Sequence, residues 1–395
     1  MNPDVAKGIE AHRSGRLEEA QRLYKKALRR RAADPDALNF LGVLEFHRGE
    51  RQRGIELLNR SLAVAPRNPH AWINLGNMVA LERNAAEACV AYQRALAIDQ
   101  ALPEAWYNLG VCQRRLQQFD AADRSLRRAI ELQPNYPAAY EALGGLLYRK
   151  GQLEEAADLY RQWLVVDPQN PVARHMAAAT SAAREPPRAD DRYVASHFDH
   201  FAESFDVALA ALGYRAPQLV AGALTLHPGY QSAGLEILDA GCGTGLCGPL
   251  LRSSARRLIG VDLSGGMLAK ARERGSYDEL IAAELTAYLA AHRQAFDVIV
   301  SADTLCYFGD LDPVMRAAAG ALKPGGLLVF TVEACAAVQG PHLLQPSGRY
   351  AHAEEYLRTS VAAASLVATA IERVVLRKES AVDVHGWLVT AQRPH

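Results

Sequence analysis

The sequence predicts an all-α solenoid of helical hairpins followed by a doubly wound α/β domain. Glycines 8, 42, 76, 110 and 144 recur every 34 residues. A polar, proline-bearing stretch at 184–192 ends the repetitive half. Beyond it, the apolar run 235–238 leads into Asp239-Ala240-Gly241-Cys242-Gly243-Thr244-Gly245. A second run, 258–261, ends in Asp262. That order reads as strand, glycine turn, helix, strand, acid.

Other positions follow the glycine period. Leucines 41, 75, 109 and 143 precede the last four glycines. Twelve positions after each glycine stands Ala20, Gly54, Ala88, Ala122 or Ala156; sixteen after stands Tyr24, Leu58, Tyr92, Leu126 or Tyr160. A 34-residue period with small residues at helix crossings is the tetratricopeptide signature. Five repeats are expected from about residue 2 to 169, with 171–183 as a capping helix. The predicted domains are 1–183, a linker at 184–192, and 193–395.

Composition sets the broad class. The 395 residues are 49% apolar with a formal net charge of zero, ample material for two or three cores. No apolar run approaches the roughly 18 residues of a membrane span, so no membrane contact is expected. The start of the chain has no apolar signal core, which makes cytoplasmic residence the expectation. The repeat half is mildly basic and the remainder mildly acidic, too weak an imbalance for nucleic-acid binding. Cysteines 89, 112, 242, 247, 306 and 335 contain no C-x-x-C pair, so neither a metal site nor a disulfide framework is expected.

In an open parallel sheet, ligands sit at the carboxyl ends of the strands, where glycines let the backbone come close. An acid at the tip of the next strand, here Asp262, can take the hydroxyls of a ribose. The spacing G-x-G-x-G, with Asp239 before it, is not the dinucleotide fingerprint, because a carboxylate beside a pyrophosphate is repelled. A carboxylate attracts a cationic ligand group instead. This pattern resembles motif I of the class I S-adenosylmethionine-dependent methyltransferases. The whole chain resembles bacterial methyltransferases with N-terminal tetratricopeptide repeats. The fold implied is a Rossmann-like domain closed by an antiparallel hairpin at 371–378 and 384–392.

The resemblance implies S-adenosylmethionine as cofactor, held by Asp239, Gly241, Gly243, Gly245 and Asp262. Leu263 and Met267 flank the adenine, Glu284 and Leu285 stand at the third strand end, and Ser301 at the fourth. A helix before the sheet acts as a lid in the family, which brings in Tyr193 and His197, four apart on one face. Phe198, Phe201 and Phe205 on the same segment read as core.

Methyl transfer is an in-line displacement in which the protein aligns the nucleophile and excludes water. His352 is the first candidate base, since an imidazole titrates near working pH; Asp303 and Tyr307 follow. Arg349 and Tyr350, in the region after the fifth strand, are candidate substrate contacts, with Arg349 free to hold a carboxylate. In the repeats, Asn74, Asn77 and Asn108 resemble a short asparagine ladder that grips peptide backbone. The preferred reading is methyl transfer to a protein or peptide recruited by the repeat groove. A small carboxylate or phenol is the alternative acceptor, and a non-catalytic cofactor-binding scaffold is the second alternative. The sequence leaves the oligomeric state open.

Overall fold

The computed structural model describes residues 1–181, 185–227, 234–379 and 382–395. The chain forms two compact units, Met1–Asp167 and Pro168–His395.

The first unit is made of helix pairs. These are α1 (Pro3–Arg13) with α2 (Leu17–Arg30), α3 (Pro35–His47) with α4 (Arg51–Val64), α5 (Pro69–Leu81) with α6 (Ala85–Ile98), α7 (Pro103–Arg115) with α8 (Phe119–Leu132), and α9 (Pro137–Arg149) with α10 (Leu153–Val166). Each first helix begins with proline, whose missing N–H costs nothing at that position. Asn2, Asp34 and Asn68 cap three of them by accepting backbone N–H bonds. The 34-residue glycine period has a packing cause. A Cβ on Gly8, Gly76 or Gly144 would strike Tyr24, Tyr92 or Tyr160; on Gly42 or Gly110 it would strike Leu58 or Leu126. Each glycine is therefore the socket for the residue sixteen positions later, and that knob is nearly fully buried.

The second unit opens with α11 (Pro171–Ala179), α12 (Asp191–Phe201), α13 (Phe205–Ala211) and α14 (Ala216–Thr225). Its strands are β1 (Leu235–Ala240), β2 (Ala255–Asp262), β3 (Glu279–Ala282), β4 (Phe296–Ser301), β5 (Leu322–Ala334), β6 (His342–Leu344), β7 (Tyr350–His352), β8 (Val367–Glu379) and β9 (Val382–Gln392). Helices α15 (Gly248–Leu251), α16 (Gly265–Arg274), α17 (Leu285–Ala291), α18 (Asp312–Ala321) and α19 (Glu354–Ala363) connect them. The order is β3-β2-β1-β4-β5, all parallel. Beyond β5 the sheet forks: β9 and then β8 add antiparallel along its length, while β7 and then β6 add at its carboxyl end. Alternate residues feed opposite cores, as the two-residue period of a strand requires: Leu238 and Ile299 face one cluster, Ile237, Val298 and Val300 the other. The order reverses between β1 and β4, which opens a crevice at their carboxyl ends.

Three features differ from the sequence expectation. Helix α11, expected to cap the repeats, clusters with the second unit: His175 Nε2 lies 2.8 Å from Gly348 O, and its ring stacks on Tyr193 at 4.1 Å. The middle of the expected linker, 187–189, is bonded to the segment after β4. Gly309 and Asp310 donate to Pro187 O at 2.9 and 2.8 Å, and Ala189 N donates to Tyr307 O at 2.8 Å. Residues 182–184, the end of the expected cap and the start of the linker, lie outside the described residues. Finally, 350–352 is not a substrate loop but strand β7, paired with β5 and β6, with Tyr350 and His352 fully buried. Its three residues are too few for a period to be read from sequence.

Candidate functional site

The crevice at the end of β1 and β4 holds a cavity of about 280 Å3, near the small end of ligand sites. Its back wall is the glycine turn. Gly241 has φ +79°, and a Cβ there would lie 2.1 Å from Thr304 Oγ1, so the two strand ends can meet only at glycine. Thr304 Oγ1 then donates to Gly241 O at 3.1 Å. Gly243 also has positive φ and lines the cavity, and a Cβ there would meet nothing within 4 Å. Gly245 lies off the cavity, where its lack of a side chain admits Tyr277 and Ala271.

Asp262, at the tip of β2, lines the cavity and is fixed from behind. Its Oδ2 accepts from Gly243 N and its Oδ1 from Ser264 N, both at 2.9 Å. Burial pushes its carboxyl pKa up, and the backbone donors counter that. Leu263, Met267, Glu284 and Leu285 line the same end, with Glu284 capping α17 through Thr286 N and Ala287 N. Arg188 stands beside Glu284 at 3.6 Å, carried in by the segment that the sequence marks as linker. His197 lines the cavity, and burial, with Arg349 nearby, lowers its pKa to about 4. Phe198, Phe201 and Phe205 line it too; the sequence reading assigned them to the core.

Several predicted contacts sit elsewhere. Asp239 is fully buried behind the turn, where Tyr277 Oη donates to its Oδ2 at 2.6 Å and its Oδ1 has no partner. Burial raises its pKa to about 7. Ser301 is spent on Ala240 O at 2.9 Å, and Tyr193 is buried against His175. Tyr350 donates to Pro186 O at 2.7 Å.

His352, the first candidate base, does not line the cavity. Its ring is fully buried, with Nε2 at 2.8 Å from Phe308 O and 3.3 Å from Gly309 O. Both partners are acceptors, so Nε2 carries the proton and the histidine pins the segment after β4. Burial lowers its pKa to about 4, against 6.5 for a free imidazole. Between those values the unfolded chain binds the extra proton, so stability is full above pH 6.5 and falls as pH drops towards 4. The expected loss is about 3 kcal/mol from this residue. His352→Gln, which can still donate to Phe308 O, should flatten that share of a pH series of denaturation midpoints; an unchanged slope would remove His352 as its source.

The far end of the cavity is charged. Asp303 has φ +59° and donates its N–H to Thr331 Oγ1 at 2.9 Å. Its Oδ2 accepts from Arg377 Nη1 at 3.0 Å, and its buried Oδ1 has no partner. Arg377 also bonds Glu379 through Nε at 2.9 Å, and Glu333 through Nη2. Arg349 donates to Glu333 and to Glu379, each at 2.5 Å. Burial pushes Glu333 up, but Arg349 and Arg377 outweigh it and hold its carboxyl below the usual range. Burial raises Asp303. Arg349 is therefore not free to take a carboxylate, as the sequence reading has it. Arg377, Glu333 and Glu379 were missed because they read as charges on late strands; no local motif marks them. Tyr307 lines the cavity beside this group.

In the first unit, Asn74 Nδ2 donates to Asn39 Oδ1 and Asn108 Nδ2 to Asn77 Oδ1, both at 3.0 Å, and Tyr92 Oη donates to Asn77 Oδ1 at 2.7 Å. The three predicted asparagines are thus joined in side-chain pairs along α3, α5 and α7. Asn39 is the member that the sequence reading missed.

Strand order 3-2-1-4-5, an antiparallel hairpin beside β5, a glycine turn at the switch point and an acid at the tip of β2 are consistent with a Rossmann-like methyltransferase domain. The methyltransferase domain family matches residues 238–330, and the tetratricopeptide repeat family matches 5–62, 48–103 and 107–171. The two matches together support a chain that joins tetratricopeptide repeats to a class I methyltransferase domain. Malonyl-[acyl-carrier protein] O-methyltransferase of Yersinia pestis is 30% identical over 165 residues, covering 40% of this chain and 58% of its own. Ubiquinone biosynthesis O-methyltransferase of Thiobacillus denitrificans is 38% identical over 105 residues, covering 25% and 44%. The chain thus spans about half the length of these curated relatives, 58% of the first and 44% of the second. Among solved structures, the match to MamA covers 43% of this chain and 96% of that protein at 24% identity, with a TM-score of 0.38.

Proposed function

We propose that this chain transfers a methyl group from S-adenosylmethionine to a protein or peptide acceptor gathered by its repeats. The observation that carries the donor is Asp262. Two backbone donors hold its carboxylate at the cavity wall, and its remaining lone pairs are available to ribose hydroxyls. The open side of Gly243 leaves room for close approach, and Leu263, Met267 and Leu285 offer apolar contact to a base. These residues fit the donor. When bound, it supplies an activated methyl carbon on a sulfonium. The chain's own part is to orient the acceptor and keep water out. The aromatic residues of α12 and α13 suit the second task.

The repeats suit the gathering of a peptide, since such stacks present extended surfaces. A small acceptor is the second reading, favoured by the relative named for ubiquinone biosynthesis. Labelled methyl transfer into lysate proteins should be compared for the full chain and for residues 168–395, the cut that the contacts dictate. Loss of labelled protein bands with the shorter form is expected. Equal labelling would remove the repeats from recruitment.

A further inference from the structure

The cavity has two chemically different ends on opposite sides of β1. Towards β2 and β3 lie Asp262, Leu263, Met267 and Glu284; towards β4, β5 and β8 lie Asp303, Arg349, Arg377 and Glu379. The donor reading uses the first end. The second holds three carboxylates, those of Asp303, Glu333 and Glu379, against two guanidinium groups. Both arginines are already paired with carboxylates, and Asp303 Oδ1 is buried without a partner. One negative charge is in excess; Glu379 keeps some contact with solvent, but Asp303 Oδ1 is buried, and a partnerless buried oxygen costs free energy. Burial drives Asp303 towards taking a proton, which is one way to remove the excess. A cation from outside is the other.

We propose that this end is the acceptor subsite, that the acceptor is a cationic amine, and that Asp303 both holds it and takes its proton. The proposal rests on the methyltransferase reading and names its substrate class. A carboxylate acceptor would bring a fourth negative charge to a group whose arginines are spent. A phenol would leave the excess charge in place. An ammonium balances it, three against three. Asp303 Oδ1 accepts one N–H of the ammonium and then its proton, which frees the nitrogen lone pair. The nitrogen forms its bond to the methyl carbon as the carbon–sulfur bond of the donor breaks, with the electron pair staying on sulfur. The product leaves as a methylated ammonium, and Asp303 returns its proton to water.

The donor's own amino group is a second source of the same cationic chemistry, so the test separates the two. Calorimetry on the full chain first measures S-adenosylhomocysteine, then n-butylammonium, butyrate and p-cresol with S-adenosylhomocysteine present. Butylammonium is expected to bind, and butyrate not. In Asp303→Asn, butylammonium should weaken roughly tenfold or more, with S-adenosylhomocysteine affinity kept. The proposal is overturned if butylammonium does not bind, or if butyrate or p-cresol binds in preference to it. It is equally overturned if Asp303→Asn loses S-adenosylhomocysteine, which would assign the subsite to the donor. Wild-type binding of the three probes decides the matter even if the variant does not fold. Failure of wild type to bind S-adenosylhomocysteine strikes the methyltransferase reading instead.

Discussion

Asp262→Ala is expected to abolish measurable binding of S-adenosylhomocysteine while the far-ultraviolet spectrum stays that of the wild type. The carboxylate does two jobs that no neighbour duplicates. It receives Gly243 N and Ser264 N at 2.9 Å each, which ties the glycine turn to the tip of β2. In the proposed donor site it also offers acceptor oxygens to the ribose hydroxyls. Hydrogen bonds to a charged group contribute about 1.5–3 kcal/mol each. Losing the ribose pair and the support of the turn should cost on the order of a hundredfold in affinity or more. Asp262→Asn keeps one acceptor oxygen and should fall between the two. Calorimetry reads both, and an alanine variant that binds as tightly as wild type would place the ribose elsewhere.

Arg377→Met is expected to lower the stability of the second unit by about 3–5 kcal/mol, the usual cost of breaking a buried ion pair from one side. Arg377 is 3% exposed and bridges Asp303, Glu333 and Glu379. Methionine fills a similar volume, so the loss is electrostatic and not a cavity. Three carboxylates would then face Arg349 alone, and their folded-state pKa values would rise above those in the unfolded chain. A carboxyl raised on folding binds more protons in the folded state, so the variant's deficit should be greatest at neutral pH and shrink as pH falls. Hydrogen exchange of β5 and β8 amides at two pH values reads this. A deficit independent of pH would mean that Arg377 acts by packing.

The period and the strand order were legible because each depends on many residues repeating one constraint. The 34-residue spacing encodes a glycine socket and its knob five times over. The turn from Gly241 to Gly245 was legible because positive φ and close approach leave glycine almost alone as a choice. Leu263, Met267, Glu284 and Leu285 came to the cavity because they follow strand ends. The charged end was not legible. Arg377, Glu333 and Glu379 lie far from Asp303 in sequence, and each looks like an ordinary strand charge. His352 misled because an imidazole in a polar run looks functional, while its burial depends on β7 pairing with strands on either side. Charge networks assembled from four separate segments have no local spacing to read.

Pro171 follows Pro137 by the same 34 residues that separate Pro137 from Pro103, so by sequence phase α11 is the first half of another repeat. By contact it belongs to the second unit, where His175 touches the carbonyl of Gly348, next to Arg349. Anyone exchanging the repeat array for another therefore faces two joints that disagree. A splice placed by periodicity, after the last repeat-like helix, removes the bond between His175 and Gly348. A splice at 167/168 leaves an orphan half-repeat behind and delivers the catalytic module whole.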